Sequence, residues 1–240
     1  MPFSDAAAEL TRLLTIMERL RSPSGCPWDA EQTTKSLRRY LIEECYEVLE
    51  AIDQEDTEEI CDELGDLLLQ IVFHAQIFRE QGDFDIKDVI SGIADKLVRR
   101  HPHVFAEQRI NSQEELTRQW EAIKVKEKKE KKVSSRFGSI PPHLPALARA
   151  HKLGEKAQRL GLDSPLLDGT MAALHAQLAQ IEESLIDEEA ELQQVRIGEA
   201  LFAMSQLARR LGIEPEEALR QTVNRHLPAF ESRVEEEQKG

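Results

Sequence analysis

The feature that most constrains this chain is a group of acidic residues arranged symmetrically about one short turn. Residues 41–73 have the apolar periodicity of two amphipathic helices joined by a polar connection. Positions equidistant from the turn of an antiparallel hairpin lie at the same height, and acids three residues apart on one helix share a face. Counted from a turn centre at residue 55, two pairs are equidistant: Glu47 and Glu63 at eight residues, and Glu44 and Asp66 at eleven.

These four carboxylates are therefore predicted to meet across one helix–helix seam, which is the outline of a metal site. Several carboxylates held close together cannot all stay ionised unless a cation joins them. The hairpin offers hard oxygen ligands and no histidine, which favours Mg²⁺ or Mn²⁺ over zinc or iron. The competing interpretation is that these acids form an ordinary solvated helix face.

The composition narrows the classes of function. The chain has 240 residues, enough for one or two domains with a core, and a formal net charge of −14. That charge argues against nucleic-acid binding, which needs a basic face. The three cysteines include no C-x-x-C pair, and no long apolar run or signal-peptide core is present. We therefore expect a cytoplasmic protein with no disulfide framework and no membrane association.

Helix signals recur along the whole chain and predict an all-α fold. Leucine and methionine form one stripe in a first helix, for which Ser4 is the predicted N-cap. Capping-box patterns begin further helices at Asp56 and Ser112. Asp85 is predicted to cap a helix over Ile86–Arg100.

A basic cluster at the end of that last helix points to phosphate chemistry. Lys96, Arg99 and Arg100 fall on one face, and arginine forks match phosphate oxygens. Mg²⁺ held by carboxylates usually serves phosphate substrates, while no Walker-type glycine loop or nucleophile elbow occurs. The alternative is that these cations only complement the helix dipole. Together with the acids, they predict Mg²⁺-dependent hydrolysis of a nucleotide polyphosphate.

Two tryptophans are candidate contacts for a nucleotide base. Trp28 lies in residues 21–34, a stretch with two prolines and a glycine, and Trp120 lies on the helix that follows Ser112. Either indole could stack on a base, because every base has a π-face. For Trp28, a role as a lid on the core is the open alternative.

The pattern also divides the chain into two modules and a linker. Residues 133–145 contain three prolines and few periodic apolar positions, which is typical of a linker. We therefore expect a catalytic module over residues 1–132 and a second module over residues 146–240.

The second module is interpreted as a degenerate copy of the first. Gly198-Glu199 occupies the place of Gly65-Asp66, but Arg196 stands where the first module has Glu63. A cation at that position would oppose a divalent metal. A structural role is therefore the expectation for the second module.

Several motifs resemble one enzyme family. The acids form E-E-x-x-E followed by E-x-x-D, the signature of the all-α nucleoside triphosphate pyrophosphohydrolases. Residues 25–29 (GCPWD), 96–105 (KLVRRHPHVF) and 120–124 (WEAIK) resemble the MazG family in particular. The resemblance is strong over about the first 125 residues and weaker over residues 145–226.

This resemblance implies both a reaction and a site. Members of the family hydrolyse a nucleoside triphosphate between the α and β phosphates to a monophosphate and pyrophosphate. This activity removes unwanted nucleotides from the nucleotide pool. The resemblance also implies a homodimer with active sites in a four-helix-bundle arrangement. By similarity, the Mg²⁺ ligands are Glu44, Glu47, Glu63 and Asp66, with Glu43 on a second metal or orienting the water. The phosphate contacts are Lys96, Arg99 and Arg100, and Trp120 lies against the base.

Two alternatives stay open at this point. A non-catalytic helical protein that binds nucleotide or a protein partner would keep the scaffold without releasing pyrophosphate. A narrower phosphohydrolase, for dUTP or a modified nucleotide, would share the metal site, because base selectivity depends on pocket shape.

Overall fold

The computed structural model describes residues 3–106, 112–130, 137, 140–162, 169–187 and 190–238, and every regular element in them is an α-helix. This confirms the all-α prediction. The helices are α1 (Ser4–Leu20), α2 (Pro27–Glu31), α3 (Arg38–Gln54), α4 (Thr57–Gln81), α5 (Ile86–Arg100), α6 (Pro102–Phe105), α7 (Gln113–Glu130), α8 (Ala146–Arg159), α9 (Met171–Asp187), α10 (Ala190–Arg210) and α11 (Pro215–Gln238). No described helix combines the length and the apolar character that a bilayer-crossing segment requires.

The chain divides into two compact units, Met1–Lys124 and Val125–Gly240. The division falls inside α7, upstream of the linker expected at residues 133–145. Residues 131–136 and 138–139 lie outside the described residues, so the linker and the duplication of a module stay predictions.

The first unit is built around α4, which has 25 residues and packs against α1, α3 and α5. Its core brings Met17 of α1 and Leu37, just before α3, onto Val72, Phe73 and Ile77 of α4, all nearly fully buried. Burying an apolar side chain of this size contributes about 1.5–3 kcal/mol. The second half of α4 thus contributes to the core, and its first half contains the acids Glu63 and Asp66.

The turn between α3 and α4 is centred where the symmetry of the acids predicted it. Glu55 ends α3 in the left-handed region, with φ 56° and ψ 24°. Asp56 then caps α4, because its carboxylate accepts hydrogen bonds from the backbone N–H groups of Glu58 and Glu59 at 3.0 and 3.2 Å. These two residues set where α4 begins relative to α3.

Of the other predicted helix starts, two are confirmed and one is wrong. Asp85 forms a reciprocal capping box at the start of α5, and the Ser112 hydroxyl accepts from the Glu115 N–H at 3.2 Å. Ser4 does not cap α1. It is the first helical residue, and its hydroxyl donates to the neighbouring Asp5 carboxylate at 3.1 Å instead of accepting from the backbone. The helix begins one residue earlier than predicted, because the Phe3 carbonyl already accepts from the Ala7 N–H at 3.0 Å, which makes Phe3 the N-cap.

A buried arginine fastens the segment that contains α2 to α4. The Arg21 side chain is only 7% exposed, and its Nε and Nη2 donate to the Glu80 carboxylate at 2.9 and 2.7 Å. Its Nη1 donates to the backbone carbonyls of Asp29 and Gln32 on either side of the end of α2. The hydrogen bond from Arg21 lowers the pKa of Glu80. One guanidinium therefore holds both the α2 segment and α4.

The second unit is centred on α10, which packs against α8, α9 and α11. Ser205 and Gln206 of α10 are fully buried and donate to the backbone carbonyls of Leu147 and Ala150 on α8. Gly154 of α8 faces Gln206 so closely that a Cβ there would lie 1.8 Å from the amide oxygen. Close packing of α8 on α10 thus depends on a glycine and on satisfied buried polar groups.

Replacing Arg21 by methionine should lower the free energy of unfolding by about 2 kcal/mol, because charge-assisted hydrogen bonds and buried carbonyl acceptors are lost together. Chemical denaturation measures the change. Arg12→Met is the matched control, since Arg12 makes only an exposed pair with Glu9 and should cost less than about 0.5 kcal/mol. Equal effects of the two substitutions would contradict the structural role given to Arg21.

Candidate metal centre

Three of the predicted acids converge where α3 packs on α4. Glu44 of α3 and Glu63 and Asp66 of α4 each offer a carboxylate oxygen, and these atoms lie within 4.8 Å of one another. Glu44 and Glu63 are half-buried and Asp66 is exposed. Half-buried carboxylates at this spacing differ from acids scattered on a solvated face, because water screens their repulsion less.

The two remaining acids stand beside this group. Among the described residues, the group of three does not include Glu47, although the charge of Glu47 acts on both Glu44 and Glu63. Glu43 is exposed, and its charge acts on Arg39 of the same helix. The assignment of Glu47 as a ligand and of Glu43 as a further catalytic carboxylate stays a prediction.

The electrostatics of the cluster favour a bound cation. Burial, followed by the charges of Asp66 and Glu47, raises the pKa of Glu44. Burial, followed by the charges of Glu47, Glu59 and Asp66, raises the pKa of Glu63. A raised carboxyl pKa means that the ionised form is disfavoured, and a divalent cation would reverse that. The oxygen-only donor set fits Mg²⁺ or Mn²⁺.

Gln70 of α4 also belongs to this site, although the sequence did not lead us to predict it. Gln70 of α4 is only 6% exposed, and its Nε2 donates to Glu44 Oε1 at 3.2 Å. This hydrogen bond lowers the pKa of Glu44, whereas burial raises it by more. The signal was present in the spacing, because Gln70 follows Asp66 by four residues and Glu63 by seven and so shares their face.

The predicted phosphate contacts lie together in the last turn of α5. Lys96 and Arg100 are half-buried and Arg99 is exposed. Just beyond them, His101 ends α5, and its ring lies 6.0 Å from that of Trp120 in an edge-on arrangement. The structure thus places one predicted base contact beside the basic turn. The Lys124 side chain of the WEAIK motif lies outside the described residues.

Trp28 is 51% exposed, and its ring meets that of Tyr40 edge-on at 6.0 Å. Tyr40 in turn packs against the core of the first unit. The indole therefore covers one side of a core residue and leaves the rest of its surface to solvent. Its predicted role in substrate binding stays a prediction.

The corresponding place in the second unit has different chemistry. Arg196 of α10, which stands where the first unit has Glu63, is half-buried and donates to the Gln180 side-chain oxygen of α9. In the described part of the second unit, no group of three potential metal ligands is found. A cation and an amide thus occupy a seam that holds acids in the first unit.

Residues 32–105, which contain the whole acid cluster, match the MazG nucleotide pyrophosphohydrolase domain. The chain is 44% identical over 231 residues to the nucleoside triphosphate pyrophosphohydrolase/pyrophosphatase MazG of Thermotoga maritima, which covers 96% of this chain and 88% of that protein. It is 43% identical over 216 residues to the nucleoside triphosphate pyrophosphohydrolase of Escherichia coli K12, covering 88% of this chain and 81% of the relative. The uncharacterized protein YabN of Bacillus subtilis is 42% identical over 229 residues, which are 95% of this chain and 46% of YabN.

Neutralising Glu63 should stabilise the metal-free protein. Because the pKa of Glu63 is raised on folding, the folded state binds its proton more tightly, and stability falls as pH rises from the ordinary value through the raised one. In EDTA at neutral pH, Glu63→Gln should therefore unfold at a higher temperature than the wild type. The gain should vanish as pH falls below the ordinary value, where the carboxyl is protonated in both states.

Calorimetry across a pH series measures this difference. Asp62→Asn is the control, because it removes an exposed charge from the neighbouring position of α4. Saturating Mg²⁺ should then raise the unfolding temperature of the wild type more than that of Glu63→Gln. A Glu63→Gln protein that is less stable than the wild type in EDTA would contradict the repulsion described above.

Proposed function

Because the chain belongs to the MazG family of nucleoside triphosphate pyrophosphohydrolases, we propose that it hydrolyses nucleoside triphosphates in a Mg²⁺-dependent reaction. The bond that breaks is the anhydride between the α and β phosphates, and the products are the monophosphate and pyrophosphate. The observation that carries this proposal is the convergence of Glu44, Glu63 and Asp66 inside the segment that matches the family domain.

The ion would be held by these three carboxylates, with Glu47 alongside. Mg²⁺ fits because the donors are hard oxygens, and Mn²⁺ would serve in its place. When bound, the ion supplies charge neutralisation at the phosphate oxygens. The raised pKa values of Glu44 and Glu63 support this assignment, because they show carboxylates held together at a cost that a cation would remove.

The chain's own residues account for the remaining chemistry. Water attacks one phosphorus of the α–β anhydride, and Glu43, a carboxylate outside the proposed ligands, orients the water and accepts its proton. Lys96, Arg99 and Arg100 neutralise the charge that develops on the departing pyrophosphate. Trp120 provides a π-surface for the base beside the basic turn, and Trp28 provides a second candidate surface.

We also propose that the protein is a homodimer formed through the α3–α4 hairpin. Large apolar side chains form a stripe on α3, away from the buried Val48 and Ala51, and each is between 38% and 51% exposed: Ile42, Tyr46, Leu49 and Ile52. On α4, Leu64, Leu68 and Ile71 are exposed in the same way. An apolar surface of this extent is typical of a protein interface. Two such hairpins packed together would form the four-helix arrangement implied by the family resemblance.

The decisive assay incubates the purified protein with a panel of ribo- and deoxynucleoside triphosphates and Mg²⁺, and separates pyrophosphate from orthophosphate. We expect pyrophosphate and monophosphate in equal amounts. Glu63→Gln should reduce kcat by about 100-fold or more, since loss of a transition-state charge contact costs on that order, while Asp62→Asn should retain activity. If no nucleotide yields pyrophosphate with Mg²⁺ or Mn²⁺, the non-catalytic binding alternative holds instead.

Charge placed in the apolar stripe should dissociate the dimer. We expect Leu49→Glu to give a monomer by light scattering coupled to size exclusion, because an uncompensated carboxylate would be buried at the interface. Glu50→Gln, which changes the exposed neighbour of Leu49 without adding an interface charge, is the matched control. A wild-type protein that is monomeric at micromolar concentration would refute the dimer proposal.

A further inference from the structure

Gln70 carries one satisfied and one unsatisfied polar atom at the edge of the acid cluster. Its amide nitrogen donates to Glu44 Oε1 at 3.2 Å. Its amide oxygen is buried and has no hydrogen-bond partner among the described residues. Leaving a buried carbonyl oxygen without a donor costs about 1–3 kcal/mol. A side chain that is 94% buried and half-satisfied calls for a physical explanation, since its exposed fraction is only 6%.

The orientation of this amide follows from charge. Rotating it by half a turn would set its oxygen against the Glu44 carboxylate, and two acceptors cannot share a hydrogen bond. The nitrogen must therefore face Glu44, and the oxygen is presented beside the same carboxylate. Its missing donor cannot come from Glu44, Glu63 or Asp66 in their ionised form, because carboxylates only accept.

Water is a donor that a hydrated cation would bring to this place. Mg²⁺ bound by carboxylates keeps several of its own waters, whose hydrogens point away from the ion. Acceptors just outside the ligands take those hydrogens and orient the centre, and losing one such group commonly weakens metal binding by about 10- to 100-fold. A buried amide oxygen next to three converging carboxylates is placed for that task.

The predicted duplication allows the position of Gln70 to be compared with its counterpart in the second unit. The register that aligns Gly198-Glu199 with Gly65-Asp66 places Ala203 at the position of Gln70. Ala203 is buried, 3% exposed, within α10. The same register keeps an acid, Glu199, at the position of Asp66 but places Arg196 at the position of Glu63, so the amide and the Glu63 carboxylate are replaced together. We therefore relate Gln70 to the acid cluster and not to the packing of the helices.

We propose that Gln70 is a positioning residue of the metal centre. Its amide N–H holds the Glu44 carboxylate, and its carbonyl oxygen accepts a hydrogen bond from a water on a hydrated divalent cation bound by Glu44, Glu63 and Asp66. This inference rests on the proposed function, because it needs a cation at that cluster. It adds a residue that neither of the acidic motifs contains.

The test measures Mn²⁺ binding without nucleotide, by isothermal titration calorimetry, in the wild type and in Gln70→Met. Methionine keeps the length of the side chain and removes both polar atoms. We expect Gln70→Met to bind Mn²⁺ about 10-fold or more weakly. The matched control is Gln76→Met, since Gln76 donates to the Glu80 carboxylate at 2.9 Å on the same helix, away from the cluster. Its Mn²⁺ affinity should equal that of the wild type.

Thermal unfolding in EDTA provides the second readout. Gln70→Met loses a hydrogen bond to Glu44 together with an unsatisfied oxygen, so its unfolding temperature should stay close to that of the wild type. A purely structural glutamine would instead lose stability and leave Mn²⁺ affinity unchanged. If Gln70→Met fails to fold, Gln70→Asn serves instead: it keeps the amide but withdraws it by one methylene, and it should also bind Mn²⁺ more weakly.

The outcomes separate this inference from the proposed function. Wild-type Mn²⁺ affinity in a folded Gln70 variant overturns the role of Gln70. The proposed function still stands in that case if Glu63→Gln abolishes pyrophosphate release. Absence of Mn²⁺ binding by the wild type overturns the inference as well, and the pyrophosphate assay then decides the function by itself.

Discussion

The antiparallel packing of α3 on α4 decides which charges can meet in this protein. Each residue advances a helix by 1.5 Å and turns it by about 100°, so a shift of one residue would carry Glu44 off the face that meets Asp66. The register is set at the turn, by the left-handed Glu55 and the Asp56 cap, and at the far end by the core residues of α4. The acids meet because the turn and the core of the first unit fix the same register between α3 and α4.

Packing in one half of α4 offsets repulsion in the other. Val72, Phe73 and Ile77 are nearly fully buried, and each contributes about 1.5–3 kcal/mol. In the first half of α4, burial and neighbouring charges raise the pKa of Glu63, and they raise the pKa of Glu44, which lies opposite on α3, so ionising these carboxyls costs free energy. Because one continuous helix joins the two regions, the core holds the acids together before any cation arrives. Such preorganisation lowers the cost of binding an ion that demands near-ideal geometry.

The sequence predicted the hairpin register well because symmetry about a turn depends only on helix geometry. It predicted the cap at Asp85 and the end of α5 at Arg100 for the same reason, since these signals are local. The cap predicted at Ser4 is wrong because the first intrahelical hydrogen bond is accepted by Phe3, one residue earlier. The spacing places Gln70 on the acidic face, but its burial and its hydrogen bond to Glu44, 26 residues away, could not be predicted. The role of Arg21 could not be predicted either, because its partner Glu80 lies 59 residues away. Only tertiary contacts show that an amide or a guanidinium is buried and what it satisfies.

The second unit indicates why the acids need a chemical explanation. Its α9–α10 seam carries a hydrogen bond from Arg196 to Gln180, a cation with a neutral amide, and Ala203 where the first unit has Gln70. Within the described residues of α9 and α10, a helical hairpin therefore folds without a group of three converging carboxylates. Because two helices of this chain pack together without such acids, helix packing alone does not account for the acids of the first unit. The proposed divalent cation would offset the cost of holding them together, because three carboxylate oxygens within 4.8 Å of one another are hard donors of the kind that such an ion prefers.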